Sequence, residues 1–180
     1  MEGLADNPDT HRTYLGVDLE LPPEINLRWA EILAEKNQIH FQFCLDNDLD
    51  IDAPSADLLF IDSLHTYCHL MSELERFSPQ IRKYIALHDT SGSWGVKDDV
   101  EYRGDYSEYP DYLDRTKRGL WAAVVDFLAD HPEWTLKERR TNNNGFTILQ
   151  RACTRKESLA NGVHKWGEEV PRGSEPPLDL

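Results

Sequence analysis

Basic residues, cysteines and long apolar runs are all scarce in this sequence, and each shortage removes a class of function. Lys and Arg number 19 against 33 acids, a net charge of −14. A nucleic-acid backbone is therefore excluded as partner, because phosphate binding needs clustered cations. The one basic cluster, Lys137-Glu138-Arg139-Arg140, is short and interrupted by an acid, and reads as a solvated strand edge. The three cysteines, Cys44, Cys68 and Cys153, are scattered without zinc-type spacing and are expected to be reduced and structural. No apolar stretch approaches the length that spans a bilayer, and Met1–Asp6 lacks the basic and apolar regions of a signal peptide. A cytosolic protein without a membrane partner is the expectation. No internal repeat is present.

The 180 residues, 39% hydrophobic and 29% charged, suffice for one domain with a real core. Its most informative stretch is Ala56-Asp57-Leu58-Leu59-Phe60-Ile61-Asp62-Ser63-Leu64-His65-Thr66-Tyr67. Leu58–Ile61 is too short and too uniformly apolar for an amphipathic helix, which predicts a strand buried on both faces, as in parallel sheets. Lys83–Thr90 has the same form, with His88 and Asp89 at its exit. In open parallel sheets ligands bind beyond the carboxyl ends of the strands, so two strands would deliver Asp62, His65, His88 and Asp89 to one rim.

The rest of the chain supplies the other elements. Thr13–Glu20 is strand-like and Pro22-Pro23 stops it. Ile25, Trp29, Ile32 and Leu33 recur at helical spacing, with Asn37 as terminator. Ile39–Leu45 reads as a strand and Asp46-Asn47-Asp48 as its exit. Leu70, Met71, Leu74 and Phe77 form a helical stripe that leaves Glu73, Glu75 and Arg76 facing outward, and Ser78-Pro79 ends the helix. Residues 91–118, opening with Ser91-Gly92-Ser93-Trp94-Gly95, read as a long loop placed to cover a substrate. Leu120, Val124, Phe127 and Leu128 share a helix face that His131-Pro132 terminates. Glu133–Glu138 and Gly145–Gln150 flank Asn142-Asn143-Asn144-Gly145, a hairpin signal. The grammar is that of an α/β domain over residues 1–152, mostly parallel with a C-terminal antiparallel hairpin, followed by a tail at 153–180 expected to be disordered.

At the rim, carboxylates on adjacent strand exits can share a hard cation such as Mg²⁺. A neighbouring histidine could then take a proton from a substrate hydroxyl. Asp18, at its own strand exit, stands where nucleoside-binding α/β folds place a ribose-binding acid, or is simply a cap or loop acid. Asp46 could meet an adenine amino group. A phosphoacceptor receiver domain would need paired acids after the first strand and a lysine after the last parallel one, and has neither here.

Taken together, Phe60–Tyr67, Tyr84–Thr90, Gly119-Leu120-Trp121 and Asn142–Thr147 resemble the class I S-adenosylmethionine-dependent methyltransferases. Within them the chain is most similar to the macrolide-sugar O-methyltransferase and cephalosporin hydroxylase-like group, over about residues 13–151. The resemblance implies a Rossmann-like sheet with an antiparallel last strand. It also implies an adenosylmethionine site with Asp18 on the ribose, the Asp46 region near the adenine and Asp62 at the same rim. Asp62 and Asp89 are implied as metal ligands and His65 or His88 as the base, acting on a small, sugar-like hydroxyl. One piece of the pattern is absent: the first strand and its Gly-rich loop should precede Asp18, and no G-x-G lies there. That departure leads us to expect a truncated product, an internal start, or a domain completed by another chain, including a second copy. It also keeps two alternatives open, a non-catalytic remnant that binds a nucleoside or protein, and a metal-dependent hydrolase.

Overall fold

The computed structural model describes residues 12–99 and 106–152. Its first unit is parallel: β1 (Arg12–Asp18), helix α1 (Glu24–Lys36) and β2 (Ile39–Leu45). The two strands pair from Arg12↔Ile39 to Asp18↔Leu45, and a parallel pair needs a crossover of this length between its strands. Pro22-Pro23 stops β1, and the Pro23 carbonyl accepts the first helical bond, from Asn26 N–H at 2.8 Å. Asn37 ends α1, its Nδ2 donating to the Leu33 carbonyl at 2.8 Å.

The second unit runs β3 (Ala56–Ile61), α2 (Tyr67–Phe77), β4 (Ile81–His88), α3 (Gly92–Val96), α4 (Leu120–Asp130), β5 (Trp134–Arg140) and β6 (Phe146–Arg151). Its sheet order is β3-β4-β6-β5, with β3 and β4 parallel and the other two pairings antiparallel. Asn143, Asn144 and Gly145 all take positive φ in the β5–β6 turn, as its Asn-Gly sequence requires. The core lies between this sheet and helices α2 and α4, around Leu70, Leu74, Ile85, Val124, Phe127 and Leu149, all at or below 2% exposure. Removing such side chains from water is the main favourable term in the fold, about 1.5–3 kcal/mol each. Tyr67 Oη donates to Asp126 at 2.8 Å and links the two helices. No described helix is long and apolar enough to cross a membrane.

Four expectations are corrected. The strands form two sheets rather than one, and among the described residues no strand pairing joins β1–β2 to β3–β4. β3 is not buried on both faces: Leu58 and Phe60 are 53% and 55% exposed, whereas Ala56, Leu59 and Ile61 pack on the core. The stripe Ile25, Trp29 and Ile32 on α1 is exposed, and Ala34 is the buried residue of that helix. Glu73 does not face outward; it is 3% exposed. Burial pushes its carboxyl well above the usual range, and the neighbouring Asp48 adds to the shift.

Residues 91–118 are also more than a loop. They contain α3, and Tyr109 and Leu113 enter the core. Asp98 Oδ1 accepts the Tyr67 and Gly119 amides at 2.9 and 2.8 Å, so one acid binds the segment to the starts of α2 and α4. The tail at 153–180 lies outside the described residues.

Candidate active site

Sheet register builds the rim. Phe60 pairs with Ala86 and Ile61 with Leu87, so the next step along each strand sets Asp62 beside His88. After Asp62 the chain turns, and Thr66 caps α2 by accepting the His69 amide at 3.2 Å. That turn points His65 back over the strand ends. After β4, Asp89 adopts φ 56°, a left-handed conformation that Asp tolerates better than most residues. The β5–β6 turn holds this bend: Ser91 N–H donates to the Asn144 carbonyl at 2.6 Å, Ser91 Oγ to the Thr141 carbonyl at 3.0 Å, and Thr90 Oγ1 bonds Thr147 Oγ1 at 2.7 Å.

Four sequence-predicted residues thereby meet. His65 Nε2 lies 3.0 Å from Asp89 Oδ2 and 3.9 Å from Asp62 Oδ1. His88 Nδ1 lies 3.3 Å from Asp62 Oδ1 and 3.2 Å from Asp89 Oδ1. Asp62 and His88 are part-exposed, whereas the Asp89 side chain is 7% exposed. Despite these short approaches, His65 Nε2, His88 Nδ1 and Asp89 Oδ1 are buried without a well-directed hydrogen bond among the described residues. Buried polar atoms are normally satisfied, and three of the unsatisfied ones gather at this point. Asp62, His88 and Asp89 each offer one donor atom, all within 4.8 Å of one another, a donor set that fits a divalent cation. The adjoining cleft, lined by Ile61, Asp62, Ser63, His65, Leu87 and His88, has room for a single water or ion.

The other two candidates sit elsewhere. The Asp46 amide donates to the Asp18 carbonyl at 3.0 Å, so the exits of β1 and β2 are joined. Asp18 Oδ1 accepts the Glu20 amide at 3.1 Å, the role of a loop acid, and its carboxylate stays exposed with acceptor capacity to spare. Asp46 Oδ1 accepts the Asn47 amide at 2.8 Å. Among the described residues no hydrogen bond or ion pair joins Asp18 or Asp46 to the Asp62–Asp89 rim. Residue reasoning missed Trp94, whose ring centroid lies 4.6 Å from that of His65. Its position in the sequence, five residues past Asp89, gave no contact to read.

No family model and no curated protein matches the chain. Among solved structures, the chain is similar to the magnesium protoporphyrin IX methyltransferase of Synechocystis PCC 6803 with bound SAH. The similarity has a TM-score of 0.47 at 12% identity over 77% of this chain, which spans 63% of the length of that one.

Proposed function

We propose that this chain is an S-adenosylmethionine-dependent O-methyltransferase domain that uses a divalent cation, Mg²⁺ or a close relative, to activate a small, sugar-like hydroxyl. The observation that carries the proposal is the trio of buried atoms on His65, His88 and Asp89 that lack a well-directed hydrogen bond among the described residues. Asp62, His88 and Asp89 would hold the cation, which when bound lowers the pKa of a coordinated hydroxyl. His65 would accept the hydroxyl proton at Nε2, with Asp89 stabilising the imidazolium from 3.0 Å. Trp94 packs against His65 and limits the directions its ring can take. Asp18, exposed at the exit of β1, would accept hydrogen bonds from the ribose hydroxyls.

The proposal includes a completing strand. Among the described residues β3 has one unpaired edge and β1 pairs only with β2, while Leu58 and Phe60 present exposed apolar surface. A strand from a second chain, or from another part of the same polypeptide, would close that space and could carry the Gly-rich loop.

The test is methyl transfer from labelled adenosylmethionine to a panel of sugar hydroxyls, with Mg²⁺ or Mn²⁺ present. Transfer that falls more than about 100-fold in both Asp89→Asn and His65→Gln is expected. Transfer unchanged in both variants would remove the rim from the chemistry. A metal-dependent hydrolase is the second reading, in which the same donor set would act on water. It would cleave model esters without adenosylmethionine.

A further inference from the structure

A second group of donor atoms lies apart from the rim. Asp48 comes from the turn after β2, and His69 and Glu73 come from consecutive turns of α2, on one face at i and i+4. His69 Nε2 is 3.0 Å from Asp48 Oδ2 and 4.0 Å from Glu73 Oε2, and the three donor atoms lie within 4.8 Å of one another. Around a tetrahedral ion with bonds of about 2.0–2.2 Å, donors stand about 3.3–3.6 Å apart, so the 3.0 and 4.0 Å separations reach that geometry with side-chain shifts of about half an ångström. His69 and Glu73 are buried and Asp48 is part-exposed, which leaves a way in.

The surroundings are those of an oriented ligand set. His69 Nδ1 is 3.3 Å from Tyr109 Oη, a contact that fixes the ring and leaves Nε2 directed at the two carboxylates. Ser63 Oγ donates to Glu73 Oε2 at 2.7 Å, and the Leu49 amide donates to Asp48 Oδ1 at 2.9 Å. Among the described residues no Lys or Arg pairs with either acid, and the group that faces both is the His69 imidazole.

We propose that Asp48, His69 and Glu73 form a binding site for a divalent transition ion, with Zn²⁺ as an occupant that accepts both imidazole nitrogen and carboxylate oxygen. The ion would fasten the turn after β2, in the two-stranded sheet, to α2, which packs on the four-stranded sheet. It would thus join two units that share no strand pairing. Through Ser63, the residue after Asp62, it would also steady the loop that carries His65.

The experiment uses the whole chain, freed of metal by chelation, with Asp62→Asn and Asp89→Asn introduced together so that the rim cannot hold an ion. Calorimetric titration with Zn²⁺ and with Co²⁺ is expected to show one ion per chain, with a rise in the thermal midpoint and a Co²⁺ absorption spectrum showing nitrogen and oxygen ligands. Adding Asp48→Asn, at a part-exposed position where the amide keeps the shape, is expected to weaken binding at least tenfold. No binding by the rim-disabled chain, or binding that Asp48→Asn leaves unchanged, would overturn the proposal. A readout that does not depend on those substitutions is the long-range ¹H–¹⁵N spectrum of the imidazoles in the unsubstituted chain. A Zn²⁺-induced shift of His69 Nε2 supports the site, and shifts confined to other histidines overturn it.

Discussion

Gly145→Ala should be the most damaging small substitution in the β5–β6 turn, and its cost can be worked from the geometry that holds the rim. Gly145 has φ 104°, a conformation that L side chains rarely adopt. A Cβ there would stand 2.5 Å from Ser91 Oγ, 2.6 Å from Ser91 N and 2.8 Å from Ser91 Cβ. Forcing the dihedral costs about 1–3 kcal/mol. Relieving the contact moves the turn away from Ser91 and endangers the Ser91 N–H bond to the Asn144 carbonyl, worth about 1 kcal/mol. The sum is about 2–4 kcal/mol, or a thermal midpoint lower by about 4–16 °C for a domain of this size. Differential scanning calorimetry beside Gly16→Ala gives the contrast, because a Cβ at Gly16 meets Phe43 and Tyr14 only at 3.4 and 3.5 Å. Equal midpoints for the two variants would refute this description of the turn.

Other consequences follow from packing and charge. Phe127→Ala, at a position with no exposure, should cost about 3–5 kcal/mol in a denaturant titration. A loss under about 1 kcal/mol would place that ring outside the core. His131 stacks on Phe127 and stands 3.0 Å from Glu75 and 3.3 Å from Glu133. Burial lowers its pKa, but the two carboxylates outweigh that and raise it above the usual histidine value. A raised folded-state pKa gives stability that is fully present below about pH 6.5 and is lost as pH rises through the folded value. His131→Gln should therefore lose about 0.5 kcal/mol more at pH 6 than at pH 9, the screened worth of such pairs. A stability difference that does not change with pH would show that the carboxylates do not hold the proton.

The legible parts of the fold are those set by short-range chemistry. Pro22-Pro23, Asn37, Ser78-Pro79 and Asn144-Gly145 fix element ends through local backbone geometry, and the observed ends agree within a few residues. The meeting of Asp62, His65, His88 and Asp89 was legible because both strands carry their acid at the exit of a parallel pair, where register alone brings them together. Periodicity does not say which face a neighbour covers. It found α1 and β3, yet Ile25, Trp29, Leu58 and Phe60 are exposed because no described element packs on them. Glu73 was misplaced for a related reason. A charged residue within an apolar stripe reads as solvated until Asp48, Ser63 and His69, from three separate places in the chain, are seen around it.

The most direct test of the proposed activity is calorimetric titration of S-adenosylhomocysteine into the purified chain, with and without Mg²⁺, beside Asp18→Ala. Asp18 lies on the surface, so the variant should fold. Binding in the micromolar range that is lost in Asp18→Ala is the expected result. Absence of binding by well-folded protein would contradict the methyltransferase reading of this chain.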